Sequence, residues 1–449
     1  MNDVSRNLRR RQTVAIVGVG ALLGVALVAL GARLVHINTT LSPKLTTLKQ
    51  GQYVSRRVLP ARRGTIFDSR GRVLGGSREL WGVFADPALV TNVESTSARL
   101  GTILGLEAGE IEQALRGRAS KRFCWIKRRV PAAEADAIRQ ARLSGVGLLS
   151  EPVRHYPLGS LAGQVLGFVG VEGGGLDGIE LLHDRWLSGK DGQAWVLRDT
   201  RRQALTSAFD SRRHDTPARD GGHILLTIDS AIQSFVERSL AERVERFEAL
   251  RGVAVVMDPR SGDVLAMANY PGFEPNHYST APAEVRRNRV VTDMAEPGSI
   301  FKPFVASAAL AEGVVRPGEM FNTHNGLYVI GRRLLHDDHP YGYLTFENIV
   351  AKSSNIGMAQ LGERLGNEAM YRALRRFGFG RRTGIDILGE GTGSVQPLER
   401  WTAYTTSSVP MGQEIAATPL QLITAFSAIC NDGILLRPRL VRAKLSPEG

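Results

Sequence analysis

The residues best suited to chemistry lie in one stretch, Glu296-Pro297-Gly298-Ser299-Ile300-Phe301-Lys302-Pro303-Phe304. A Pro-Gly pair breaks the preceding element, a serine follows, and a lysine stands three residues further on. The small-residue run Val305-Ala306-Ser307-Ala308-Ala309-Leu310 leads to Gly313. It predicts a helix that begins near Ser299 and stops at that glycine. Pro303 falls at the edge of the first turn, where a missing N–H costs little. The i, i+3 spacing puts the Ser299 hydroxyl and the Lys302 amine on one helix face. A serine hydroxyl is a poor nucleophile without a base in reach. Lysine serves as that base only when burial or nearby cations lower its pKa. The helix N-terminus adds partial positive charge where an oxyanion would develop. The pattern therefore predicts an acyl-transfer centre. The alternative is an accidental Ser-x-x-Lys. Lysine is scarce, with eight among 57 basic residues, and no other Ser-x-x-Lys occurs in the chain.

A second candidate is Ala351-Lys352-Ser353-Ser354-Asn355-Ile356-Gly357. The Ser353 hydroxyl can relay a leaving group's proton, and the Asn355 amide can orient a substrate peptide. Taken alone, Ser-Ser-Asn is an ordinary turn or cap. His336-Asp337-Asp338-His339 offers four metal-type side chains, but their spacing is too tight for one ion. A polar loop without metal is expected there. Gly173-Gly174-Gly175-Leu176-Asp177-Gly178 matches G-x-G-x-x-G in letters. Ile179 to Asp184 after it looks like a packing helix, so a Gly-rich turn is expected and no dinucleotide cofactor. The absence of a Gly-x-Ser-x-Gly elbow argues against an α/β-hydrolase.

These groups need elements to hold them. In the second half, Gly222 to Asp229 predicts a strand ending in an N-cap acid, followed by a helix over Ser230–Leu250. Gly252 to Asp258 and Val264 to Ala268 predict an antiparallel hairpin around Pro259-Arg260-Ser261-Gly262-Asp263. Helix, hairpin and nucleophile helix together suggest an antiparallel sheet covered by helices, an α+β arrangement. In the first half, Thr65-Ile66-Phe67 and Arg72-Val73-Leu74 predict a hairpin across Asp68-Ser69-Arg70-Gly71. Residues 93–145 show helical periodicity through Leu100, Ile103, Leu104, Ile111 and Leu115, with a second run from Ala132 to Leu143. The Arg-rich segment from Asp199 to Asp220 reads as an exposed connection between two domains.

Thr13 to Ala32 carries no charge and is strongly apolar. Twenty helical residues span about 30 Å, the thickness of a bilayer core. Arg6, Arg9, Arg10 and Arg11 precede it, which assigns the N-terminal side to the cytoplasm. The rival is a cleaved signal peptide, for which Ala26-Leu27-Val28 and Ala29-Leu30-Gly31 are weak sites. The chain thus reads as a cytoplasmic tail (1–12), a transmembrane anchor (13–36), a non-catalytic domain (37–219) and a chemical domain (220–449). The length of 449 residues and 43% hydrophobic content suit such a protein. The net charge of +13 points to an anionic membrane or polymer. No nucleic-acid module appears, so nucleic acid is not expected as a partner. Cys124 and Cys430 read as two isolated buried thiols.

Ser299-x-x-Lys302 followed by Ser353-x-Asn355 resembles the first two motifs of the penicillin-binding proteins. Arg63 to Gly71, Arg154-His155-Tyr156-Pro157 and Gly178-Ile179-Glu180 resemble the non-catalytic pedestal of the class B members. Asp258 to Met267, Asn288 to Asp293 and Thr418 to Leu422 resemble elements of their transpeptidase domain. Ala85-Asp86-Pro87 and Trp125-Ile126-Lys127-Arg128 tilt the similarity to the division-type, septal enzymes. The resemblance covers residues 12–440. It implies a DD-transpeptidase that cross-links peptidoglycan stem peptides without a cofactor or metal. Ser299 would be acylated, Lys302 would be its base, Ser353 would pass the proton and Asn355 would bind the donor peptide. β-Lactams would mimic that donor. The implied location is the inner membrane, with the bulk of the chain periplasmic. A septal glycan polymerase and other division proteins are the implied partners.

The family's third motif, Lys-Thr/Ser-Gly, does not occur in this sequence. Ile434 to Val441 resembles the approach to it. In the family that motif supplies contacts to the substrate carboxylate, and its strand gives one oxyanion donor. The expectation is either a truncated record of the enzyme or a chain with little activity. The competing function is a non-catalytic division scaffold. A β-lactamase or β-lactam sensor is a third reading, against which the long pedestal argues.

Overall fold

The computed structural model describes residues 2–37, 39, 54–117, 123–197 and 216–448. It divides into two units, one of residues 1–59 with 191–218 and the other of residues 60–190 with 219–449. In the first, helix α1 (Asn2–His36) contains an apolar stretch, Thr13–His36, long enough to cross a membrane. Its described side chains are all exposed, which leaves an apolar cylinder suited to lipid. Strand β1 (Val54–Leu59) pairs antiparallel with β6 (Gly192–Leu197) in the same unit.

The second unit is a mixed α+β body. Its six-stranded sheet is assembled from distant parts of the chain. Strand β2 (Ile66–Phe67) pairs antiparallel with the start of β3 (Val73–Ala85), as the hairpin pattern predicts. On its other side β2 runs parallel to β7 (His223–Leu226), and β7 pairs antiparallel with β12 (Val441–Leu445). The long β3 also carries β4 (Cys124–Val130) and β5 (Val146–His155). Helices α2 (Val93–Leu104), α3 (Ala108–Gly117) and α4 (Ala132–Ala141) cover this end through Leu100, Leu104, Ile111, Leu115 and Ile138.

The helical periodicity across 93–145 therefore needs a correction. Cys124 to Val130 is strand, because pairing with Trp81 to Ala85 supplies the ladder hydrogen bonds that a helix would have provided. Helix α6 (Ser230–Arg246) begins at the expected Asp229 cap but ends four residues short of Leu250. Residues 199–215 of the expected exposed connection lie outside the described residues. Of the two thiols, Cys124 is buried as expected, whereas Cys430 is exposed, one residue past the last turn of α10 (Pro419–Ile429). The hairpin of β8 (Gly252–Met257) and β9 (Val264–Tyr270) forms at the residues its sequence pattern assigns.

Two charge networks hold this unit together. Short helix α5 (Gly178–Leu182), which ends the glycine-rich turn, carries Glu180, a fully buried carboxylate. It accepts Arg63 Nε and Arg154 Nε, each at 2.6 Å, and the Tyr156 hydroxyl at 3.2 Å. Burial, reinforced by the Glu180 charge, pushes the Tyr156 phenol up. In the second network Asp229 accepts Arg70 Nε at 2.6 Å and Arg72 at 2.8 Å. Burial works against its ionised form, but hydrogen bonds from Arg70, the Ala231 amide and Arg72 hold it down to about 2.

Candidate active site

Gly298, with φ +60°, turns the chain into a short 3₁₀ segment, Gly298–Phe301. Helix α7 (Lys302–Ala311) continues from it, with Pro303 in its first turn and Gly313 in the left-handed region just beyond its end. Ser299 thus sits in the tight turn ahead of the α-helix, not within it. The turn is held from outside, where Gly298 N donates to Gly412 O at 3.1 Å. A Cβ on Gly412 would stand 2.1 Å from Gly298 O, so the approach requires glycine. Phe301 and Phe304 are fully buried against Phe379, with ring centroids 4.9 and 5.2 Å away. These rings fix the rotation of α7, which leaves Ser299 exposed and turns Lys302 inward.

Lys302 is 1% exposed. Its Nζ donates to Ser353 O at 2.5 Å, to Ser353 Oγ at 2.9 Å and to Asn355 Oδ1 at 2.8 Å. All three acceptors are uncharged. Burial pushes the amine down to about 8, and the Asp337 carboxylate partly opposes that shift. A lysine at about 8 is neutral in roughly a tenth of molecules at pH 7, far more than an ordinary lysine, which suits a base. The Ser299 hydroxyl makes no hydrogen bond among the described residues, so it is free to meet a substrate.

Ser353 follows helix α8 (Phe346–Ala351) and precedes α9 (Asn355–Arg376). Its φ of +56° is a left-handed conformation that a serine enters at a cost of about 1–3 kcal/mol. That bend lets both of its oxygens face the single ammonium of Lys302. Ser354 Oγ caps α9 by accepting Gly357 N at 2.9 Å. The structure thus brings together three of the four sequence-predicted residues, Lys302, Ser353 and Asn355, by direct hydrogen bonds. It places Ser299 one turn before Lys302.

Asp337 is the residue that sequence reasoning set aside. One carboxylate oxygen accepts Asn355 N at 2.5 Å and Ile356 N at 3.0 Å, and the other accepts Ser354 Oγ at 2.6 Å. It therefore caps α9 from the loop after a hairpin of β10 (Leu327–Ile330) and β11 (Arg333–His336). His336 O takes the Asn355 Nδ2 at 3.0 Å, which orients that amide with its oxygen toward Lys302. The expected polar loop is there, engaged with backbone amides. An acidic residue on a loop between strand signals was the available hint, but the helix it caps begins 18 residues later.

Two family models match the chain: the penicillin-binding protein dimerisation domain over residues 58–225 and the penicillin-binding protein transpeptidase domain over residues 252–446. The probable peptidoglycan D,D-transpeptidase PenA of Neisseria meningitidis is 34% identical over 95% of this chain and 74% of its own length. The peptidoglycan D,D-transpeptidase FtsI of Escherichia coli is 32% identical over 86% of this chain and 66% of its own. Among solved structures, penicillin-binding protein 3 of Mycobacterium tuberculosis in complex with aztreonam matches with a TM-score of 0.65 and 28% identity. That match covers 88% of this chain and 69% of the other.

Proposed function

The chain belongs to the penicillin-binding proteins that join a dimerisation domain to a transpeptidase domain, and on that premise we propose that it is a peptidoglycan D,D-transpeptidase working through an acyl-enzyme on Ser299. The reading rests above all on Lys302, a buried lysine with a lowered pKa, one turn from an exposed serine and bonded to Ser353 and Asn355. Neutral Lys302 takes the proton of Ser299 Oγ as that oxygen attacks the carbonyl carbon of the penultimate D-Ala. The resulting oxyanion collapses, the C–N bond breaks, and the departing D-Ala amine receives a proton through Ser353 Oγ, resupplied by Lys302. An amine from a neighbouring stem peptide then attacks the ester, and its proton returns the hydroxyl to Ser299. Asn355 is assigned the donor peptide on this reading. β-Lactams stop at the first half because their leaving group stays attached.

The wider reading places residues 37–219 as the pedestal and 220–449 as the transpeptidase domain. Arg6, Arg9, Arg10 and Arg11 keep the N-terminus cytoplasmic, and the remainder is periplasmic at the inner membrane. The division-type motifs and the likeness to FtsI support a reading of septal cross-linking beside a glycan polymerase. The test is fluorescent penicillin on the full chain in detergent, with intact-mass detection of the adduct and release of D-Ala from a pentapeptide. Wild type should take one covalent label and Ser299→Ala none. An unlabelled wild type with a cooperative melting transition would rule the enzyme out in favour of the scaffold.

A further inference from the structure

A pocket of about 300 Å³ opens beside the C-terminal end of α9, away from Ser299. Its lining includes three exposed arginines, Arg381, Arg382 and Arg437, and an apolar wall of Phe377, Leu435 and Leu436. No acidic residue lines it. Two of the arginines lie over glycines. Arg437 donates its Nε to Gly384 O, and that nitrogen is 3.4 Å from where a Cβ on Gly384 would stand. Arg381 Nε is 4.0 Å from the equivalent point on Gly378, which has φ +90°.

Elsewhere in this unit several arginines are met by acids. Arg63 and Arg154 meet Glu180, Arg70 and Arg72 meet Asp229, and Arg439 and Arg442 meet Asp263. Among the described residues, Arg381, Arg382 and Arg437 have no such partner. The acids on the adjoining loop are already occupied. Glu390 accepts Thr383 N, Thr383 Oγ1 and Gly384 N, and Asp386 accepts Leu440 N and Val441 N. Three like charges around one cavity repel each other until an anion enters.

We propose that this pocket binds a phosphate group, as a diphosphate or a phosphate ester. Guanidinium forks match phosphate oxygens two at a time, and three of them offer more donors than one carboxylate can accept. The apolar wall suits the organic part of an ester and lowers the local dielectric, which strengthens the ionic contacts. Ser299 is not among its lining residues.

The test is calorimetric titration of the full chain in neutral detergent at low ionic strength. One arm uses inorganic pyrophosphate. The other uses dihexanoyl phosphatidylglycerol, with dihexanoyl phosphatidylcholine as the uncharged control. Saturable binding in either charged arm, weakened at least tenfold in the exposed pair Arg381→Gln/Arg382→Gln, supports the site, and the arm that binds identifies a free diphosphate or a lipid headgroup. The double variant should melt and take penicillin as wild type does, which separates lost binding from lost fold. Binding in neither arm, or binding that the double variant leaves unchanged, overturns the proposal.

Discussion

Lys302 and Glu180 are both buried ionisable groups in the same unit, and they differ in what answers their charge. Glu180 lies between two guanidinium groups at 2.6 Å each, so its charge is neutralised by permanent cations. Lys302 is surrounded by two serine oxygens and an amide oxygen, none of them charged. The first arrangement fixes geometry and has no proton to spare. The second keeps the cost of burying a charge unrelieved, and that cost is what brings the amine to about 8. A buried charge with an ionic partner is a structural device, and one with only neutral partners is poised to change state.

That contrast can be broken most directly at Lys302. Lys302→Met should slow acylation by penicillin by roughly 10²–10⁴-fold, the scale of general-base catalysis. The fold should survive, because relief from burying an ammonium offsets three acceptors left unpaired, each worth about 1–3 kcal/mol. Stopped-flow labelling and thermal melting measure the two sides. A variant that fails to fold would place Lys302 with Glu180.

Glu180→Ala should give the opposite pattern. Stranding Arg154, while Arg63 keeps Asp184 at 2.7 Å, should cost about 3–5 kcal/mol in urea unfolding, as for other broken buried pairs. The acylation rate of the molecules that remain folded should be close to wild type. A small loss of stability would mean that water answers the two guanidinium groups as well as Glu180 does.

The smallest effect sharpens the Lys302 side. On the proposed mechanism Lys302 acts as a base in its neutral form, and that form grows with pH. Acylation should therefore rise about tenfold per unit below a midpoint near 8 and level off above it. Asp337 raises the Lys302 pKa, so Asp337→Asn should move the midpoint to lower pH. A midpoint that stays in place in that variant would deny the electrostatic link.

What could be read from the sequence was what is local. The turn before Ser299, the stop at Gly313, the Asp229 cap and the β8–β9 hairpin are each set by residues within a few positions of one another. What could not be read depends on partners far along the chain. Cys124 to Val130 looks helical until β3 offers it a ladder. Asp337 looks like part of a polar loop until α9 starts behind it. Glu180 meets Arg63 across 117 residues, a distance no periodicity encodes. At the candidate site the residue types and spacings were visible, but the left-handed turn at Ser353, which aims two oxygens at one amine, was not.

The order of strands in the large sheet bears on how the chain is made. Neighbours β2, β7 and β12 come from residues near 66, 224 and 442, so two of the sheet's joints close only between distant segments. During synthesis β7 must wait with one edge bare until Val441–Leu445 emerges, while the phenylalanine cluster around α7 and α9, whose last member is Phe426, already has all its parts. A waiting edge of Ile224-Leu225-Leu226 is a template for pairing with another chain. Closing these distant joints should therefore be slower than forming the more local contacts around Lys302.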